Sequence, residues 1–250
     1  MLPLLLLRMS SEGPQLRPTL VNWWRETSAR DGATKAARQL GQQLCAFLRD
    51  SLPDRRRQRY GDVGYDFDFH VNTTGATVGW RDRLLGHFLS PYQPTEPALF
   101  HEMLGALPID FSQFTFIDLG SGKGRTLLMA SDYPFLKIVG VELLPALHHV
   151  AEENVRAYHS DAQKCHAIEL VLGDAREFAL PVDPLVLYLF NPLPQAALEE
   201  VIGKFGDSLR AHSRPVYVIY HNPLLESVVA RQEWLSKIRG THQYVIFNGR

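Results

Sequence analysis

The chain of 250 residues has little cysteine, almost no net charge and no long apolar run. Its two cysteines, Cys45 and Cys165, are too few and too far apart for a disulfide scaffold or for a CxxC metal or redox site. The formal net charge of -1 gives no sign of the basic field that drives non-specific nucleic-acid binding. These absences indicate an ordinary globular protein of a reducing compartment, and we expect it to be cytoplasmic.

The apolar start of the chain, MLPLLLLRMS, is too short for a signal peptide or a membrane span. A secretory signal carries roughly 7–15 apolar residues between a basic start and a small-residue cleavage site. A membrane-spanning helix needs about 20 apolar residues. We therefore expect a tail at this end and no membrane span.

Helical spacing of apolar residues predicts a helix over residues 34–52, and a cluster of basic residues follows it. Such a cluster could bind an acidic partner, but a solvated basic turn explains it equally simply, and we prefer that interpretation. The cluster consists of Arg55, Arg56, Arg57 and Arg59.

The stretch YDFDFHVNTTGATV, residues 65–78, alternates apolar and polar residues and predicts a strand. Asp66, Asp68 and His70 would then share one face, where they could ligate a metal. A polar outer face explains the same alternation, so no metal site is predicted. Further on, apolar spacing over residues 99–107 predicts a short amphipathic helix after three prolines.

From residue 114 onward the chain repeats one unit, an apolar strand, a turn and an amphipathic helix. The predicted strands cover residues 114–119, 137–141, 166–172, 184–190 and 214–220. A last alternating stretch, residues 233–249, predicts a closing antiparallel hairpin. The alternation predicts an α/β fold, a doubly wound Rossmann-like sheet of seven strands, with its ligand at the carboxyl ends of the parallel strands.

The first of these strands runs into a glycine-rich turn, FIDLGSGKGRTLLMAS, that resembles a phosphate-binding loop. A triphosphate loop needs GxxxxGK[ST], and a dinucleotide loop needs GxGxxG. Here the spacing is Gly120, Gly122, Gly124, and Asp118 stands in the strand itself. A carboxylate beside the loop would repel pyrophosphate, so a zwitterionic or cationic ligand is favoured.

Polar residues also follow the later strands, where the ligand cleft is expected. Glu142 ends the second strand and could accept hydrogen bonds from two ribose hydroxyls. Asp174 ends the third strand, where it could accept the exocyclic amine of adenine. Asn191 ends the fourth strand in FNPLP and offers a side-chain amide to the cleft. Tyr220 and His221 end the fifth strand.

The ordered series DLGSGKG, VGVE, GDA and FNPLP resembles the class I S-adenosylmethionine-dependent methyltransferases over residues 90–250. The resemblance implies S-adenosylmethionine as the cofactor and a methyltransferase domain over residues 111–250. It implies that Asp118 and the glycine loop hold the methionine part, Glu142 the ribose and Asp174 the adenine. The full set of implied cofactor-binding residues within these motifs is Asp118, Gly120, Ser121, Gly122, Gly124, Glu142, Leu143, Asp174, Ala175 and Asn191.

Two segments before residue 110 carry further resemblances. YQPTEP is similar to an entry segment of the non-SET histone lysine methyltransferases, which makes Tyr92 and Thr95 candidates beside the methionine carboxylate. The stretch around residues 66–78 resembles a preamble of uncharacterised bacterial methyltransferases and implies a lid over the cleft. Residues 1–110 are therefore expected to form an arm, a helix and a lid segment.

The fourth-strand motif bears on the methyl acceptor. Enzymes that methylate adenine N6 or glutamine carry Asn-Pro-Pro-aromatic, whereas this chain has Asn191 followed by Pro192, Leu193 and Pro194. Without the aromatic platform, a DNA base is disfavoured, and nucleic acid is not the expected partner. We expect a nitrogen acceptor on a protein lysine or a small amine, aligned by Asn191, with Tyr220 completing the pocket and His221 taking a proton.

Two other functions stay open on the sequence alone. The chain could bind S-adenosylmethionine or a nucleotide without catalysing transfer, although that would leave the polar end of the fourth strand unexplained. It could also be an NAD-dependent oxidoreductase, which Asp118 and the glycine spacing disfavour. Taken singly, Asp118 and Glu142 could also be helix caps and Asn191 a turn residue before proline.

Overall fold

The structure is a computed structural model that describes residues 33–34, 63–74, 93–191 and 193–249. Several sequence predictions fall outside these ranges: the tail at residues 1–10, nearly all of the helix over residues 34–52, the basic cluster at residues 55–59, the end of the predicted strand at residues 75–78, and the candidate cofactor residue Tyr92. Nothing in the structure bears on them.

Seven strands of the described part form one sheet in the order β3-β2-β1-β4-β5-β7-β6. Their bounds are β1 Thr115–Leu119, β2 Lys137–Glu142, β3 Ile168–Leu172, β4 Leu185–Leu189, β5 Val216–His221, β6 Leu235–Gly240 and β7 Tyr244–Gly249. The first five strands are parallel, and β7 lies antiparallel between β5 and β6. The predicted α/β fold, its seven strands and the closing hairpin are confirmed.

Helices follow most of the strands and cover the sheet. Among the described residues they are α1 Val63–Phe69, α2 Pro97–Gly105, α3 Arg125–Ala130, α4 Pro145–Ala157, α5 Gln195–Ala211 and α6 Glu226–Ala230, with a short 3-10 turn at Phe111–Gln113. None of the helices described is both long and apolar enough to cross a membrane.

The core forms one apolar layer on each face of the sheet, because successive side chains of a strand point to opposite faces. In β1, Phe116 packs with Phe100 and Met103 of α2, whereas Ile117 and Leu119 pack in the opposite layer. β1 and β4 are buried along their whole length, as central parallel strands should be. Helix α2 therefore contributes to the apolar core on one face of the sheet.

The predicted strand at residues 65–78 is wrong in its described part, where residues 63–69 form α1. Tyr65 and Phe69, four residues apart, lie on one helix face with ring centroids 4.7 Å apart. Phe67, which a strand would place beside them, is 77% exposed on the opposite face. Asp66, Asp68 and His70 therefore do not share the strand face on which a metal site was considered. No group of three acidic, histidine or cysteine side chains within the described ranges is arranged for a metal ion.

Helix α1 ends where the chain folds back and its backbone donates hydrogen bonds to the side chain of Asp66. His70 has a φ of 55°, and the carboxylate of Asp66 accepts hydrogen bonds from the backbone N–H groups of Thr73 and Thr74, at 2.9 and 2.6 Å. The alternation of apolar and polar residues in this segment therefore belongs to a short helix and to the turn that Asp66 holds, and not to a strand. Local side-chain to backbone bonds override the strand pattern here.

The approach of the glycine-rich turn to β2 yields a stability prediction. A Cβ added at Gly140 would lie 2.4 Å from Leu127 Cδ1 and 2.8 Å from Ser121 Oγ. We expect Gly140→Ala to lower the free energy of unfolding by about 1–3 kcal/mol, because buried groups must shift to make room. Urea unfolding measures this difference.

The matched control is Gly203→Ala within α5, where no atom lies within 4 Å of an added Cβ. Alanine has the higher helix propensity, so this variant should be more stable by up to about 1 kcal/mol. An unchanged or raised stability in Gly140→Ala would contradict the tight packing of the turn on β2.

Candidate functional site

The glycine-rich turn between β1 and α3 is held by the end of β2. Gly120, Gly122 and Gly124 have φ values of 81°, 56° and 84°, which residues with a side chain adopt only under strain. The backbone N–H groups of Gly120 and Ser121 both donate to the carbonyl of Val141, at 2.8 and 3.0 Å. The three glycines therefore permit a compact turn, with backbone in the left-handed region, at the carboxyl edge of the sheet.

Asp118 lies beneath this turn and is almost completely buried. Its pKa is raised to about 7, chiefly by burial and to a smaller extent by the nearby charge of Glu142, while the hydrogen bond from the Thr126 hydroxyl opposes the rise. In the described part of the chain, Thr126 is the one group that hydrogen-bonds to this carboxyl. Asp118 therefore retains acceptor capacity that a cationic group could satisfy.

Glu142 ends β2 and ties the turn to the start of the next helix. One carboxylate oxygen accepts the Gly122 N–H at 2.8 Å, and the other accepts the Leu144 N–H at 2.8 Å. Burial raises its pKa, although these backbone donors oppose the shift. Each carboxylate oxygen can accept a second hydrogen bond, so the same group can also hold ligand hydroxyls.

The end of β3 supplies a more exposed surface. Asp174 is paired with Arg176, whose Nε donates to it at 2.9 Å, and this hydrogen bond is the main cause of its lowered pKa. Ala175 packs against the core beside it. Leu143, directly after β2, is 39% exposed, as an apolar platform for a flat ring would be. The structure places these three predicted residues at adjacent strand ends.

Asn191 is buried at the end of β4 and engaged by its neighbours. Its Nδ2 donates to the carbonyl of Asn222 at 2.6 Å, and its Oδ1 accepts the Tyr220 hydroxyl at 2.9 Å. Asn191 and Asn222 both have a φ of 47°, a conformation that asparagine tolerates. The structure therefore brings Asn191 and Tyr220 together, with one amide hydrogen of Asn191 left beyond its bond to Asn222.

His221 belongs to a separate buried chain of hydrogen bonds. Its Nδ1 lies 2.8 Å from the Tyr188 hydroxyl, which in turn lies 2.8 Å from the Thr95 hydroxyl. The imidazole stacks on Phe190 with ring centroids 3.9 Å apart. Burial lowers its pKa to about 4, so the ring is neutral at physiological pH. Thr95 is thus connected to the site through Tyr188.

Four residues of the site were not identified from the sequence. Thr126 and Tyr188 lie in apolar stretches of the sequence, which predict core residues. In the folded protein their hydroxyls have hydrogen-bond partners. Lys123 and Arg125 follow the glycines as phosphate-binding cations would, but they are buried against residues 63–74. One signal of another role was present in the sequence: Lys123 and Arg125 are cationic, yet the spacing of the glycines does not suit a phosphate ligand.

The parallel register explains why these groups meet at one edge. Leu119 pairs with both Val141 and Leu189, and Leu189 also pairs with Tyr220. The residues that follow these positions therefore emerge side by side at the carboxyl edge of the sheet. The arrangement offers buried carboxylates and backbone groups on one side, and amide, hydroxyl and imidazole groups on the other.

No protein-family model and no curated protein sequence matches the chain. Among solved structures, it is similar to an RNA methyltransferase from Salinibacter ruber, at 20% identity over 62% of this chain and 92% of that one, with a TM-score of 0.44. It is also similar to the PH0226 protein from Pyrococcus horikoshii, at 15% identity over 76% and 100%, with a TM-score of 0.47. At these values neither similarity assigns a function, which depends on the residues described above.

The raised pKa of Asp118 makes the stability of the protein depend on pH. The unfolded chain releases this proton near pH 4 and the folded chain near pH 7, so stability from the neutral carboxyl is complete below about pH 4 and lost as pH rises through about 7. The variant Asp118→Asn has no ionisable carboxyl at this position, so it lacks this decrease in stability with rising pH. The free energy of unfolding of the variant, relative to wild type, should rise by on the order of 3 kcal/mol between pH 4.5 and pH 8.

Chemical denaturation of both proteins at the two pH values measures this change. Because the asparagine oxygen can still accept the Thr126 hydroxyl, the variant keeps that hydrogen bond. A stability difference that is the same at both pH values would contradict a buried carboxyl with a pKa near neutrality.

Proposed function

We propose that the protein is an S-adenosylmethionine-dependent methyltransferase. The observation that carries the proposal is the pair of buried carboxylates, Asp118 and Glu142, at the base of a left-handed glycine turn. When ionised, carboxyls in this position repel phosphate, and a positively charged partner stabilises the ionised form that burial disfavours. The ammonium and sulfonium groups of S-adenosylmethionine supply such charges.

Each part of this cofactor has a matching group at the carboxyl edge. The methionine ammonium would pair with Asp118, and the carboxylate would face the backbone of Gly120–Gly124. Glu142 would accept the ribose hydroxyls while it holds Gly122 and Leu144. Adenine would lie against the exposed Leu143, and Asp174 would accept its amine beside Ala175. Ser121, which packs on Gly140, would act through the shape of the turn.

We further propose a nitrogen acceptor, on a protein lysine or a small amine. When bound, the cofactor supplies an electrophilic methyl group. Asn191 would orient the acceptor nitrogen by accepting one of its N–H groups at Oδ1, which leaves the nitrogen lone pair directed at the methyl group. Tyr220 fixes that amide by donating to the same oxygen, whose second lone pair remains for the acceptor. Because the side chain of Asn191 is buried and held from two sides, its contribution is orientation of the acceptor.

His221 is assigned a hydrogen-bonding role in this pocket. A pKa of about 4 makes the imidazole a weak base, so a proton from an ammonium acceptor would leave to solvent in preference to His221. The Tyr188 hydroxyl and the Phe190 ring hold the neutral imidazole in one orientation. The Thr95 hydroxyl is hydrogen-bonded to the same Tyr188 hydroxyl.

A non-catalytic cofactor-binding protein is the second candidate. It would use Asp118 and Glu142 in the same way, but it would have no need for the buried amide and hydroxyl pair of Asn191 and Tyr220. An NAD-dependent oxidoreductase is the third candidate, and the buried Asp118 beside the turn disfavours its pyrophosphate.

Calorimetric titration with S-adenosylmethionine, S-adenosylhomocysteine and NAD tests the cofactor assignment. We expect both sulfur ligands to bind at least roughly a hundredfold more tightly than NAD. Asp118→Ala and Glu142→Ala should each weaken S-adenosylmethionine binding by about tenfold or more, because each removes a hydrogen bond to a charged group or to two ribose hydroxyls. Glu153→Ala, an exposed carboxylate on α4, is the control and should leave the affinity unchanged. Preferential binding of NAD would refute the assignment.

Transfer of a labelled methyl group in a cell extract tests the acceptor assignment. Label should appear in protein lysines or small amines, and Asn191→Ala should reduce incorporation by roughly a hundredfold while the affinity for S-adenosylmethionine falls much less. Tyr220→Phe, which keeps the ring but loses the hydroxyl, should give a smaller reduction. Binding without any incorporation would favour the non-catalytic candidate, and label confined to nucleic acid would contradict the acceptor class.

A further inference from the structure

Residues 63–74, which comprise α1 and the turn after it, lie against the basic residues of the glycine turn. We call this segment the brace. Arg125 donates from Nε to the Thr73 hydroxyl at 2.6 Å, and its Nη2 lies 3.3 Å from Asp66 Oδ1. Its guanidinium carbon stands 4.7 Å from the centre of the Tyr65 ring. Arg125 is 2% exposed, so these contacts compensate a buried charge.

Lys123 is attached to the brace by a second set of bonds. Its ammonium donates to Asn72 Oδ1 at 2.8 Å and to the carbonyl of Thr74 at 3.2 Å. Asn154 of α4 completes the set, because its Nδ2 donates to the carbonyls of Lys123 and Asn72, at 2.9 and 3.1 Å. The residue between Gly122 and Gly124 is therefore held through both its side chain and its backbone.

Asp66 organises the brace for these contacts. Burial alone would raise the pKa of Asp66, but the hydrogen bonds from the Thr73 and Thr74 hydroxyls and N–H groups outweigh it and lower the pKa. The same two hydroxyls accept from Arg125. A single carboxylate thus fixes the turn of the brace and faces the guanidinium, so the Asp66 charge, the brace and Arg125 form one unit.

We propose that the brace is a positioning element that holds the glycine turn in its ligand-binding conformation, with Asp66 and Thr73 as its positioning residues. The inference rests on the proposed function for the identity of the ligand. Lys123 and Arg125 serve as anchors for the brace, which leaves the carboxylates to set the charge that a ligand meets at the turn. Without the brace, the two buried cations would lose the contacts described above and the turn would adopt other conformations.

Isosteric changes in the brace test this role through ligand affinity. Thr73→Val removes the hydroxyl between Arg125 and Asp66 at nearly constant size, and Thr73→Ser keeps it. If only about a tenth of the variant molecules hold the turn correctly, the apparent Kd for S-adenosylmethionine rises roughly tenfold. We expect this rise in Thr73→Val and in Asp66→Asn, measured well below their unfolding temperatures, and near wild-type affinity in Thr73→Ser. Asp68→Asn, an exposed carboxylate on the same helix, is the matched control.

Amide hydrogen exchange of the ligand-free full chain provides the second readout. Exchange at Gly120–Gly124 should become faster in Thr73→Val and Asp66→Asn, while exchange in β4 and β5 stays as in wild type. Unchanged exchange in the turn would overturn the inference, and so would faster exchange with unchanged affinity. Wild-type protein that fails to bind S-adenosylmethionine would refute the proposed function instead, and the exchange rates would still decide whether the brace holds the turn.

Discussion

The burial of two carboxylates beneath a turn of left-handed glycines is the constraint on which the site depends. Asp118 lies one residue before the end of β1 and Glu142 ends the neighbouring parallel strand β2, so the sheet places the two carboxyls near each other at its carboxyl edge. The turn that covers them can form only because Gly120, Gly122 and Gly124 adopt positive φ and because Gly140 leaves room for Ser121. The cost of burying these carboxyls, expressed as raised pKa values, favours a ligand that brings positive charge.

The remaining features of the site stabilise this arrangement from different directions. Glu142 joins the turn to α4, Asn154 joins α4 to Lys123, and the brace covers the basic side of the turn. Two further sets of hydrogen bonds order the ends of β4 and β5. One set fixes the amide of Asn191 and the other fixes the imidazole of His221. Hydrogen bonds thus hold the carboxyl ends of β1 and β2 as well as those of β4 and β5.

The fold and the edge residues were predictable because both follow from simple periodicity. Buried parallel strands read as continuous apolar runs, and the polar residue that ends each run must emerge at one edge of the sheet. The brace was not predictable, because its alternation of apolar and polar residues fits a strand as well as a short helix. The hydrogen bonds that Asp66 accepts from the backbone of Thr73 and Thr74 decide it locally. Contacts distant in the sequence, Asp66 with Arg125 and Phe69 with Tyr158, add to them. Tyr188 was not predictable as a site residue either, because its hydroxyl finds hydrogen-bond partners only in the folded sheet.

The most direct test of the central claim is the number of protons released when the ligand binds. At pH 6.5 a carboxyl with a pKa of about 7 is roughly three quarters protonated, whereas the α-amino group of S-adenosylmethionine is almost fully protonated. Pairing Asp118 with that ammonium should therefore release about three quarters of a proton, measured by calorimetry in buffers of different ionisation enthalpy, and Asp118→Asn should abolish most of the release. Tight binding with no proton release in the wild-type protein would contradict the account.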